Sequence, residues 1–144
     1  MFGQVIFKPV RAQFLKDKET FGKQDPYCKI KTQTGEFRTH TCNDGGKTPY
    51  WNDSFNFNLT GDSNIHLSIW DKDTFSADDF IAETNISLVG SLVQGNNAKW
   101  YNLTRKGVPA GQIFIEIQYM PQQGMGMQMP GYGMPQGMPP QPGY

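Results

Sequence analysis

The stretch Ile65-His66-Leu67-Ser68-Ile69-Trp70-Asp71-Lys72-Asp73 decides the fold. Its apolar residues Ile65, Leu67 and Ile69 recur with a period of two, which places them on one face of a β-strand. The alternation then stops abruptly at charged residues, where a strand gives way to a loop. The same period recurs at Phe55, Phe57 and Leu59, and again at Ile113, Ile115, Ile117 and Tyr119. Shorter segments over 5–14, 27–32, 36–41, 80–88 and 99–103 read the same way, separated by turn clusters such as Asn43-Asp44-Gly45-Gly46 and Gly61-Asp62. The pattern predicts an all-β chain, an eight-stranded antiparallel β-sandwich. Residues 88–95 have room for one helical turn, which Gly90 and Gly95 limit. Pro9 removes a ladder donor from the first strand, which must therefore be bulged or lie at an edge there.

At 144 residues the chain has room for one domain and a tail. Composition changes after Tyr119: residues 120–144 contain six Met, six Pro, six Gly, five Gln and two Tyr, with no charge and no β-branched residue. Such a segment has nothing from which to build a core and is expected to be disordered. The domain is thus expected over 1–119 and the tail over 120–144. A Pro-x-x-Pro at 139–142 and two Pro-Gly-Tyr repeats make a protein partner for the tail a candidate. No basic residue flanks the Pro-x-x-Pro, and a merely solubilising tail fits equally well.

Thirteen Lys and Arg balance thirteen Asp and Glu, so nothing global recommends a nucleic-acid partner. The charge is uneven, however: residues 1–47 carry nine basic and five acidic side chains, and residues 48–119 carry four and eight. With no apolar run of about 18 residues and no signal-like start, the expected location is cytoplasmic, with any membrane contact reversible. In that compartment Cys28 and Cys42 are expected to be free thiols, and the four Asn-x-Ser/Thr sites unglycosylated.

Asp71, Asp73, Asp78 and Asp79 crowd into nine residues directly after the strand that ends near Trp70. Such carboxylates repel one another, and hard oxygen donors at short, uneven spacing suit Ca²⁺, which takes about 6–8 oxygens in flexible geometry. An acidic, solvated loop is the alternative reading. A second acidic segment, Asp17-Lys18-Glu19-Thr20-Phe21-Gly22-Lys23-Gln24-Asp25-Pro26-Tyr27, joins the first two strands.

Three stretches together carry a specific resemblance: Gly22-x-x-Asp25-Pro26-Tyr27, Pro49-x-Trp51-Asn52-Asp53-x-Phe55-x-Phe57, and Trp70-Asp71-x-Asp73 followed by Asp79-Phe80. In this order and strand context the chain resembles the C2 domain, a calcium- and phospholipid-binding β-sandwich, over nearly all of residues 4–119. The strand Gly111–Tyr119 resembles the one that opens type I C2 domains but comes last here, which implies type II topology. The resemblance implies two or three calcium ions held by Glu19, Asp25, Asp71, Asp73 and Asp79, with carbonyl ligands at Lys18, Lys72 and Ala77. Glu19 stands where the family usually has Asp, and Asp17 is a neighbouring alternative. Asp78 and Ser76 are secondary candidates.

Phe21 and Phe75 stand near the tips of the two acidic loops, either as membrane wedges or folded back onto the sandwich. Lys29 and Lys31 alternate with Cys28 and Ile30, so with the latter two inward, both lysines and Tyr27 project from the outer face. Arg38 and His40 share a face of the next strand, and the four cations match the family's patch for phosphatidylinositol bisphosphate. A merely solvated strand face is the alternative. His40 replaces a lysine there, and with an ordinary pKa of about 6.5 it weakens the patch. Tyr27 and Trp70 match positions near that headgroup, although a core or rim role suits Trp70 equally.

The function expected from these residues is calcium-dependent binding to anionic phospholipid, phosphatidylserine among them, by a membrane-targeting adaptor. A calcium-independent protein scaffold, acting through the sandwich or the tail, is the second reading. Two histidines, His40 and His66, both on strands, offer no triad or poised acid pair, so the chain reads as a binding module and not an enzyme.

Overall fold

The computed structural model describes residues 2–16, 23–60, 64–88 and 96–121. Eight strands run through them: β1 (Phe2–Phe14), β2 (Pro26–Lys31), β3 (Glu36–Arg38), β4 (Phe55–Thr60), β5 (Asn64–Asp71), β6 (Asp79–Ser87), β7 (Asn96–Arg105) and β8 (Val108–Pro121). Every pairing is antiparallel, in the order β3-β2-β5-β6-β7-β8-β1-β4. The two halves of this order close on each other as a sandwich. Their seam at β6 and β7 is narrow, a register pair of Glu83 with Thr104. At the other end, Phe37 of β3 meets Phe55 and Phe57 of β4, with ring centroids 5.6 and 5.7 Å apart.

The alternating residues supply the core. Ile65, Leu67 and Ile69 of β5 and Ile113, Ile115 and Ile117 of β8 are all buried together with Val5, Phe7, Cys28 and Ile30. Each large aliphatic side chain so buried contributes about 1.5–3 kcal/mol. Pro9 behaves as its missing N–H requires: the β1 register with β8 shifts between Pro9 and Arg11, a bulge. The freed carbonyls are used by the β3–β4 connection, where Trp51 N donates to Val10 O at 2.8 Å and Asn52 N to Pro9 O at 3.1 Å. The Trp51 ring is buried and its Nε1 donates to Pro26 O at 2.9 Å, tying that connection to the start of β2.

Two strand ends differ from expectation. The strand foreseen over 36–41 stops at Arg38: Thr39 N still donates to Cys28 O at 3.0 Å, but the return bond from Cys28 N and the bond from His40 N both go to side chains. Thr39 Oγ1 accepts from Cys28 N at 2.8 Å, and His40 N donates to Asp53 Oδ2 at 2.7 Å. The last strand runs two residues past Tyr119, with Met120 and Pro121 in register with Gln4 and Gly3. Apart from Leu88, the expected turn over 88–95 lies outside the described residues, as do residues 122–144 of the tail. Cys28 and Cys42 are free thiols, and burial pushes the Cys28 thiol pKa up.

Antiparallel register brings four connections to one end of the sandwich. Pro26, Asp71 and Asp79 lie side by side across β2, β5 and β6. Phe14 pairs with Gly111, so the end of β1 meets the start of β8. Lys106 and Gly107 turn β7 into β8, both at positive φ (51° and 79°), the backbone of a tight hairpin turn.

Candidate functional site

At that end the aspartates are organised by backbone N–H groups. Asp25 N donates to Asp71 Oδ1 at 2.8 Å, and Asp44 N donates to Asp25 Oδ1 at 2.8 Å. Lys72 N donates to Asp25 O at 3.0 Å, which fastens the start of the β5–β6 loop to the segment before β2. Within that loop Asp73 receives Phe75 N at 2.9 Å and the Ser76 hydroxyl at 2.8 Å. These bonds, the Phe75 amide first, hold the Asp73 carboxyl below its ordinary pKa, so it is ionised at neutral pH.

Asp71 is a buried carboxylate, only 7% exposed. Burying such a charge is costly unless a cation or several donors compensate it. Among the described residues, no Lys, Arg or His nitrogen lies within 4.0 Å of the carboxylates of Asp25, Asp71, Asp73 or Asp79. Also among the described residues, no group of three acidic, His or Cys side chains is closed around one point as a metal cage. The donors are oxygens only, they come from short loops, and one is buried without a cation, which fits a hard cation in kind. Glu19, Asp17, the Lys18 carbonyl and Phe21 lie outside the described residues. Lys72 and Ala77 flank the β5–β6 loop, both exposed.

Asp78 has a different part from its neighbours. The Tyr27 hydroxyl donates to its Oδ2 through a short hydrogen bond, Asp73 N donates to Oδ1 at 2.9 Å, and Lys72 Nζ lies 3.8 Å away. The Tyr27 hydroxyl is the main cause that holds the Asp78 carboxyl below its ordinary pKa. Tyr27 itself is pushed up to about 12, by burial first and then by Asp78. Asp78 thus pins the loop to β2, a role its spacing among other aspartates does not reveal.

The loop that Asp78 holds presents Phe75 to solvent, with 96% of its surface exposed. On the outer face of β2, Lys29 is half-buried and Lys31 exposed, while Cys28 and Ile30 point into the core. Tyr27 is on the outer face but its ring does not project, being 1% exposed beneath the Arg38 guanidinium at 4.5 Å. Trp70, paired with Tyr27, lies under Lys29 Nζ at 4.6 Å and meets the Phe80 ring edge-on at 5.4 Å. Trp70 is thus half-buried on the outer face and not part of the buried core. His40 departs from its expected place beside Arg38: it lies beyond β3, and its Nδ1 is 2.9 Å from Asp53 Oδ2.

The sandwich agrees with the comparisons. The C2 domain profile matches residues 3–103. The chain belongs to the C2 domain family. It is 28% identical over 128 residues to 16 kDa phloem protein 2 of Arabidopsis thaliana, covering 86% of this chain and 87% of that one. It is 35% identical over 79 residues to elicitor-responsive protein 1 of Oryza sativa subsp. japonica, where the match covers 51% of this chain and half of that protein. Its fold superposes on a C2 domain of plant extended synaptotagmin 1 with a TM-score of 0.75 and 23% identity, covering 85% of this chain and 97% of that one. Among the described residues no helix is long and apolar enough to cross a membrane.

Phe80 and Arg105 extend the outer aromatic row; Phe80 entered the sequence reading only through the Asp79-Phe80 match, and Arg105 did not enter it at all. The Arg105 guanidinium lies 5.6 Å from the Phe80 ring centroid and donates to the Phe80 carbonyl through a short hydrogen bond. Only the meeting of β6 with β7 could have joined them.

Proposed function

We propose that this C2 protein binds anionic phospholipid membranes, phosphatidylserine among them, under the control of calcium at its acidic end, and serves as a membrane-targeting adaptor. Membership of the C2 family supports lipid binding in general. The observation that carries the calcium step is Asp71, a buried carboxylate beside Asp25 and in register with Asp79, with no cationic side chain within ion-pair reach among the described residues.

Asp25, Asp71, Asp73 and Asp79 would hold the ion through carboxylate oxygens, with main-chain oxygens from Lys72 and Ala77. Glu19 and the Lys18 carbonyl complete the set that the resemblance implies. When bound, calcium supplies positive charge that offsets these carboxylates, and its flexible shell accepts further oxygens. Without such compensation the carboxylates repel a surface of anionic headgroups. Phe75, held out by a loop that Asp78 fastens to β2, is placed to enter the lipid interface, with Phe21 as its counterpart. Lys29, Lys31 and Arg38 on the outer face each add about 1 kcal/mol near an anionic surface. His40, turned toward Asp53, contributes less than the resemblance implies.

Cosedimentation with phosphatidylserine vesicles tests this function. Binding is expected in calcium and its loss in excess chelator. Equal binding in both, or binding in neither, overturns the switch.

A further inference from the structure

A cleft of about 380 Å³ opens beside the acidic end, between the end of β1 and the β7–β8 hairpin. Its volume lies within the range of roughly 300–1,000 Å³ typical of small-molecule sites. Phe14 and Ile81, both buried members of the core, form its floor. Leu15 and Val108 also line it and are 62% and 63% exposed. Three cations, Lys16, Arg105 and Lys106, complete the lining. Arg105 is held by the Phe80 carbonyl and ring, whereas Lys16 and Lys106 are exposed.

An apolar cleft with a cationic rim matches an amphiphile whose head is anionic and whose tail is a hydrocarbon. Neither half explains the other in a merely solvated hairpin: exposed Leu15 and Val108 gain nothing from water, and three cations together repel one another. Ile81 lies two residues after Asp79 in β6, so the cleft adjoins the acidic end. Leu15 N donates to Ala110 O at 3.0 Å, tying the end of β1 to β8 at the edge of the cleft.

We propose that this cleft is a second lipid site, one that takes the hydrocarbon tail of an anionic membrane phospholipid while Lys16, Lys106 and Arg105 receive its headgroup. The proposal rests on the membrane reading above and not on its calcium step. In it, Leu15 and Val108 join Phe75 in the lipid interface, and the β7–β8 hairpin becomes a membrane-contact element of its own.

The test uses the full chain in excess chelator, with methyl resonances followed by NMR during titration with dihexanoylphosphatidylserine below its aggregation concentration. Saturable shifts at Leu15, Ile81 and Val108 are expected, with tighter binding than for dihexanoylphosphatidylcholine. The Lys16→Glu, Lys106→Glu variant, altered only at exposed side chains, is expected to bind the serine lipid about five-fold or more weaker per cation lost and the choline lipid unchanged. Absence of saturable shifts at these methyls, equal affinity for the two lipids, or an unaffected variant each overturns the site. Because calcium is absent throughout, failure of the calcium switch in vesicle sedimentation leaves this result unchanged, and the two failures are told apart.

Discussion

The acidic end and the basic outer face of the sandwich manage charge in opposite ways. On the outer face two of the cations are held against rings: Lys29 lies over Trp70 and Arg38 over Tyr27. Such cation–π pairs supply about 0.5–1 kcal/mol each at exposed sites and fix where the charge points. At the acidic end Asp25, Asp71 and Asp73 are bonded to backbone N–H groups, and Asp71 is buried without a cation among the described residues. One region is positive charge held in place but not neutralised, suited to a graded electrostatic contribution. The other is charge left uncompensated, suited to an all-or-none response to an added cation.

The largest effect that separates the regions is expected from Asp71→Asn with Asp73→Asn. Calcium-dependent sedimentation with phosphatidylserine vesicles should disappear, while calcium-free behaviour stays as in the unmodified chain. Next comes Phe75→Ser on the same loop, which removes an exposed ring from the interface. Since burying a Phe side chain is worth about 1.5–3 kcal/mol, calcium-dependent vesicle affinity should fall about ten-fold or more, with the calcium midpoint for the lipid-free protein unaltered. Lys29→Ala and Lys31→Ala should each weaken vesicle binding by about five-fold and leave calcium binding intact. A calcium requirement abolished by either lysine change would erase the distinction between the regions.

The smallest effect is in pH. Asp73 and Asp78 have carboxyl pKa values below the ordinary value of 3.8, so their hydrogen bonds contribute stability that is fully present above that value. It is lost only as pH falls through their lowered folded values. Carboxyl NMR titration should therefore place both midpoints under 3.8, and Tyr27→Phe should raise that of Asp78. A midpoint for Asp78 unmoved by Tyr27→Phe would detach the loop from β2.

Much of this contrast was legible in the sequence, because both signals are local. Period-two apolar residues at 65–69 and 113–117 revealed strands, and four aspartates within nine residues revealed the loop. What was hidden depends on residues far apart in the chain. Tyr27 and Asp78 are 51 residues apart, and His40 and Asp53 are 13 apart. Nothing in the spacing of Asp78 distinguishes a carboxylate that fastens a loop from one that awaits an ion. His40 left the expected row because Asp53 captures both its N–H and its ring. The cleft was hidden for the same reason, since Leu15, Ile81 and Val108 converge only through the order of β6, β7, β8 and β1.

Calcium titration of the lipid-free chain by calorimetry, with the Asp71→Asn, Asp73→Asn variant beside it, tests the uncompensated acidic end most directly. A saturable heat for the unmodified chain that vanishes in the variant is the predicted result. No saturable heat, or the same heat in both proteins, would contradict it.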